Sequence, residues 1–295
     1  MNVEKIIQGI KGFSAGAFLK FSVVLFALGF ISQSVLANPR LANKQHIGLF
    51  KNSITCVVLE TGSLSYNVYI SDAVQKYWKA TNFEIIDAEK FEMRRHDSKY
   101  SFIVMMKGVY DKDPGGVGYN YLSLVLGDAA SEVKDMPEFC SFPLSYSDDN
   151  DAEYGYVIPA MVKFMQKHVN NLEHNRFMIS LNGLKYYNSK ISFKDKVLLL
   201  DKNSLAQEVD SPEKINIVYP YYVKILEPAE MEEEINVGNV NTLFNFHVGP
   251  GENTGSGKCF EMIFDNDGFL RYYAYRMITN DNADGFNLSD FKQLR

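Results

Sequence analysis

Apolar residues fall along this chain in two kinds of run, and their order predicts strands alternating with helices. Short blocks rich in β-branched and aromatic residues read as buried strands at 54–59 (ITCVVL), 83–86 (FEII), 101–109 (SFIVMMKGV) and 119–126 (YNYLSLVL). Between the first two, Tyr66, Tyr69, Ile70, Ala73, Tyr77 and Trp78 recur at helical spacing and predict an amphipathic helix over 65–80. Asp87 supplies an N-cap for a short helix over 88–95. Asp113-Pro114-Gly115-Gly116 is turn chemistry, so 101–109 and 119–126 read as a hairpin. A longer helical pattern covers 157–171, and 38–53 reads as an exposed lead.

The second half runs through the same order. Strands are expected at 197–200, 222–226, 242–248, 258–264 and 269–278, with helices opened by Ser211-Pro212 and Glu227-Pro228 and a last helix over 288–294. FEIIDAEKF aligns with VKILEPAEM at an offset of 140 residues, and the hairpin strands follow with little drift. Identity is poor, so the weight lies on the order of unlike elements. The expected fold is therefore α/β with mixed sheets, as two tandem βαβαββ-like units over 54–175 and 196–295 joined by a linker over 176–195. Each unit begins with parallel strands and ends in an antiparallel hairpin. The competing reading is a single irregular α/β domain.

The N-terminus bears on compartment. Lys5, Lys11 and Lys20 precede an uncharged apolar run at 21–31, and Ser34-Val35-Leu36-Ala37 follows with small or modest residues. That order reads as a secretory signal over 1–37, cleaved after Ala37. A retained anchor is the alternative, but the apolar run is short of the roughly 20 residues a spanning helix needs. The expected product is exported to the periplasm or cell surface, with no integral membrane segment after cleavage.

Charge and cysteine usage narrow the classes. The whole chain carries a net charge of −6, which loss of residues 1–37 deepens to −8. Nucleic-acid partners demand clustered Lys and Arg and are not expected. Cys56, Cys140 and Cys259 show no CxxC spacing, so neither a disulfide scaffold nor a zinc ribbon is implied.

Motifs that could carry chemistry fall short. Gly251–Cys259 (GENTGSGKC) has the wrong spacing for a phosphate loop, lacks the Ser or Thr after lysine, and leads into a strand. The acidic stretches 147–153 and 280–285 suggest calcium, but the second begins with Asn280 and has Phe291 where an EF-hand closes with Glu. No metal or other cofactor is expected, and no nucleophile, base and orienting group can be nominated together. Two speculative ligand-binding groups remain. Asn245 and His247 make one face of an otherwise apolar strand polar, and Arg271, Tyr273 and Tyr275 form an aromatic face beside a guanidinium. Both have plainer readings, as a satisfied or edge histidine and as cross-strand aromatic pairs.

The steps YWKATNFEIIDAEKF (77–91) and YPYYVKILEPAEM (219–231), after a signal-like leader, resemble uncharacterised exported α/β proteins of Bacteroidota-type bacteria. The resemblance implies an envelope location and transfers no catalytic residue. Three function classes follow: a non-catalytic envelope protein that binds a protein partner or self-associates, a periplasmic binder of a small molecule or glycan, and an enzyme of unrecognised type.

Overall fold

A computed structural model describes residues 40–109, 116, 118–130, 132–146, 154–188, 193–250, 257–279 and 283–295. The expected signal over 1–37, the acidic stretch 147–153, most of the 251–259 segment and the first residues of the 280–285 stretch lie outside them.

The chain runs α1 (Lys44–Lys51), β1 (Ile54–Val58), α2 (Leu64–Tyr77), β2 (Asn82–Ile86), α3 (Ala88–Arg94), β3 (Tyr100–Val109), β4 (Gly118–Leu126), β5 (Glu138–Tyr146) and α4 (Ile158–Asn182). It continues with β6 (Val197–Asp201), α5 (Pro212–Asn216), β7 (Val223–Leu226), α6 (Pro228–Val237), β8 (Thr242–Val248), β9 (Lys258–Asp265), β10 (Leu270–Met277) and α7 (Leu288–Gln293). The first sheet has the order β2-β1-β3-β4-β5 and the second β10-β9-β8-β6-β7. Reversing the second makes it the first: β1 and β6 are central and parallel to both neighbours, and two antiparallel strands follow on the far side. The α/β class with two similar units is thus the architecture; each unit has five strands, as the sequence reading had for the second half but not for the first.

That extra strand in the first unit is β5. Pro137 and Pro143 mask it in the sequence, and its place at the sheet edge explains why proline is tolerated. Pro143 stands opposite Tyr121, beside a register shift between Asn120 and Tyr121. The lead over 38–53 is also more ordered than the sequence suggests. Asn43 caps α1 through a hydrogen bond from the His46 backbone N–H, and Ile47 and Phe50 are buried. At the other end, α4 continues through the expected linker to Asn182, with non-helical backbone at Asn175.

The units meet through unlike faces. In the first, α2 and α4 cover one face of the sheet and α3 the other; in the second, the matching pair α5 and α7 covers one face and α6 the other. Residues of α2, α4 and α6 share one core with inward side chains of both sheets, among them Ile103, Leu124, Phe142, Leu199, Phe244, Met262 and Phe264. Phe91 of α3 joins Cys56, Phe102 and Val104 in a core on the outer side of the first sheet. Ile215 of α5 and Phe291 of α7 join Leu198, Leu243, Ile263 and Tyr272 on the outer side of the second. The α2/α4 side of one unit therefore faces the α6 side of the next. Aromatic pairs bridge the sheets directly, with Phe142 at 5.8 Å from Phe264 and Tyr119 at 5.5 Å from Phe260.

Candidate functional site

The α5/α7 side of the second sheet is where polar chemistry collects. Side chains two apart on a strand share a face, so Leu243, Asn245 and His247 of β8 point the same way. The matching face of the first unit holds Ile103 and Met105 in the shared core. In the second unit that face lies under short helices and loops, and it admits charge. Glu261 of β9 stands opposite His247, and Arg276 of β10 lies opposite Cys259.

Three strands and the C-terminal segment build one ion cluster. His247 Nδ1 lies 3.0 Å from Glu261 Oε1, and its Nε2 lies 2.9 Å from Asp284 Oδ1. Arg276 reaches Glu261 Oε1 at 3.4 Å and donates to Asp290 Oδ2 at 2.9 Å and to the Gly285 carbonyl. The Tyr272 hydroxyl donates to Asp290 Oδ1 at 2.9 Å. Asp290 also closes a capping box with Asn287 at the start of α7. Gly249 makes room for this: a Cβ there would sit 2.1 Å from Asp284 Oδ1.

Electrostatics set the protonation states. Burial alone lowers the basicity of His247, but the Glu261 charge and the Asp284 hydrogen bond prevail and raise its pKa to about 10. The Glu261 side chain is fully buried, and burial carries its pKa up to about 7 against the pull of His247. Cys259, on the same face, is pushed up by burial and by Glu261. The cluster therefore sets an imidazolium and a guanidinium among three acidic side chains. An imidazole already protonated at neutral pH takes up no further proton, and a buried neutral thiol is a poor nucleophile. What the arrangement does is tie the 284–290 segment to the sheet. Both ring nitrogens of His247 are engaged by carboxyl oxygens. Among the described residues, no group of three or more His, Cys, Asp or Glu could hold a metal ion.

The five residues singled out in the sequence fall into four environments. Asn245 is fully buried; it accepts from the Asp201 backbone N–H at 2.7 Å and donates to the Ser204 hydroxyl, shaping the chain after β6. His247 is the hub of the ion cluster. Arg271 pairs with Asp265 and lies over the Phe269 ring, at a bulge in β10. Tyr273 and Tyr275 lie 6.1 Å apart on the opposite face from Tyr272 and Arg276, and the Lys185 and Lys258 ammonium groups lie 4.0 and 4.1 Å from the Tyr275 ring. Asn245 and His247 share a face, as do Tyr273 and Tyr275, but the two groups are not brought together.

Sequence reasoning missed Glu261, Arg276, Asp284 and Asp290. The available signal was Glu261, a lone acid within the apolar run of β9. His168 shows the contrasting case. Its Nε2 donates to the Phe139 carbonyl at 2.9 Å, Nδ1 accepts from the Tyr187 hydroxyl at 2.7 Å, and burial lowers its pKa to about 4. It is a neutral core histidine.

Comparison with protein-family models, curated proteins and solved structures finds no match to this chain. Among the described residues no helix is long and apolar enough to cross a membrane.

Proposed function

We propose that the chain is an exported, non-catalytic cell-envelope protein that works by association with a second copy of itself, through the tail of α4. The observation that carries this reading is the apolar face beyond Asn175. Phe177, Met178 and Leu181 are 73%, 49% and 66% exposed, and in that tail only Ile179 is buried. Phe177 and Leu181 are four apart and stand on one helix face. The stretch 177–184 (FMISLNGL) carries no charge that would repel an identical partner. Two such tails crossing antiparallel about a two-fold axis would set Phe177 of one against Leu181 of the other, a self-complementary contact. The leader-like residues 1–37 support export.

Sedimentation over a range of concentrations tests the association. A reversible dimer that the double variant Phe177→Ser, Leu181→Ser turns into a folded monomer is the expected result. A monomer at every concentration would overturn it. N-terminal sequencing of native protein should begin at Asn38-Pro39-Arg40 or within a few residues; an intact Met1 in the membrane fraction would overturn export with cleavage.

A second reading, a binder of a small molecule or glycan, is favoured by Tyr273 and Tyr275 with the Lys185 and Lys258 ammonium groups over the Tyr275 ring. Tyr275 is 45% exposed, and tyrosine beside cationic donors suits an acidic sugar. Quenching of tyrosine fluorescence by uronic-acid oligosaccharides, absent in Tyr275→Ala, would support it.

A further inference from the structure

We propose that the groove between the end of α2, the middle of α4 and the β9–β10 turn is a binding site for a compact phosphate-bearing anion. The groove encloses about 290 Å³ and is lined by Lys76, Tyr77, Lys79, Lys163, Gln166, Lys167 and Asp267. Four of its seven residues are lysines, on a chain whose net charge is −6. Several lysines elsewhere pair with acids, among them Lys51 with Glu173, Lys202 with Glu227, Lys214 with Asp210 and Lys224 with Glu234. Among the described residues none of the four groove lysines forms an ion pair.

The frame of the groove is built. Gln166 donates to the Tyr77 carbonyl at 2.9 Å and accepts from the Lys79 backbone N–H at 2.6 Å, fixing the end of α2 on α4. Lys163 donates to the Asn266 carbonyl at 2.6 Å and Lys167 to the Asp267 carbonyl, so the turn lies on α4. Gly268, at φ 77°, permits that approach: a Cβ there would stand 2.4 Å from Lys163 Cβ and 2.9 Å from the Ala160 carbonyl oxygen. The Lys163 ammonium lies 4.3 Å from the centre of the Tyr77 ring and that of Lys76 5.3 Å. Each lysine spends at most part of its donor capacity on these contacts, because an ammonium has three protons to give.

Charge points to the occupant. Asp267 and the roughly half negative charge at the end of α2 offset part of the four ammonium charges and leave about two to three uncompensated. Burial lowers the pKa of Lys167, Asp265 and Asp267 pull it up, and Lys163 and Arg271 push it down. A phosphate dianion matches that residue of charge, and its oxygens accept from several ammonium groups at once. The phosphate could belong to a free ester or to a lipid headgroup.

Titration calorimetry of the intact chain with inorganic pyrophosphate, at low and at physiological ionic strength, tests the site. The expected result is one site per chain, weakened by salt, with affinity at least about tenfold lower in Lys76→Gln, Lys79→Gln, since hydrogen bonds to charged groups are lost. Those two side chains are exposed, so the double variant should melt as the parent does, and Lys90→Gln on α3 should bind as the parent does. Flotation with phosphatidylglycerol vesicles separates the sources: capture that the double variant abolishes assigns the phosphate to lipid, and pyrophosphate binding without capture assigns it to a free ester. Absence of both, or equal affinity in the double variant, would overturn the proposal.

Discussion

Tyr119 and Lys258 are joined by two hydrogen bonds through a single phenol oxygen. The Tyr119 hydroxyl donates to the Lys258 carbonyl at 2.6 Å and accepts from the Lys258 backbone N–H at 2.7 Å. One buried side chain of the first sheet thus satisfies both backbone groups at the start of β9 in the second.

Tyr119→Phe should leave that N–H and C=O without their partner while keeping the ring and its contact with Phe260. The expected loss is about 1–3 kcal/mol, the cost of stranding buried polar groups. Urea denaturation measures it; a variant as stable as the parent would mean that water replaces the phenol.

His247→Leu should be more damaging. Removing the imidazolium leaves Glu261 and Asp284 facing each other across an apolar side chain, and loss of one partner of a buried ion pair costs about 3–5 kcal/mol. Gly249→Ala should reproduce part of this without touching the histidine, since its Cβ would displace the Asp284 carboxylate. Both are read by thermal melting, and the pKa of His247 in Gly249→Ala, followed by NMR, should fall.

His247 and His168 give stability opposite pH dependences. His247 is raised from 6.5 to about 10, so its contribution is full below pH 6.5 and is lost as pH rises through 10. Glu261, raised from 4.5 to about 7, acts in the same sense over a lower range, with its contribution full below 4.5 and gone above 7. His168 is lowered from 6.5 to about 4, so its contribution is full above 6.5 and is lost as pH falls through 4. Unfolding free energies of His247→Gln and His168→Gln across pH should flatten the alkaline and the acid limb respectively. Unchanged profiles would contradict these protonation states.

All three cysteines should resist alkylation in the folded protein. Burial raises the pKa of Cys56, Cys140 and Cys259 alike, and Cys140, which its proline-flanked sequence makes look accessible, is 4% exposed. Mass spectrometry after brief iodoacetamide treatment should find none modified before denaturant is added.

The strands from β1 to β4 could be read to within a residue or two because their apolar runs are continuous. The edge strand β5 could not, because prolines and the small polar residues Ser141 and Ser145 break its pattern. Eight-residue α1 presents Ile47 and Phe50 one turn apart, too little periodicity to stand out. His247 was visible as a polar residue on an apolar strand, but its partners were not. Glu261 lies 14 residues on, and Asp284 lies beyond two further turns, so only strand register and the fold of the C-terminal segment bring them together. Alternation on β10 also misleads: the conspicuous Tyr273 and Tyr275 share one face and Arg271 falls in a bulge, while Arg276, which enters the cluster, takes the other face.

The joining of unlike faces inside the molecule has an arithmetic of its own. Two like faces packed together make a closed pair with nothing left over. An α2/α4 side packed on an α6 side leaves one surface of each kind at the ends, and repetition of the same step would build a filament. On the outer side of the first sheet lie α3 and the 130–136 segment, whereas the outer face of the second is crossed by residues 284–294 and riveted by His247, Glu261, Arg276, Asp284 and Asp290. Where an extended array would present an oily surface to the next repeat, this chain places buried charge under its own tail. The ion cluster puts charge on the face that a further step of the same packing would need to be apolar.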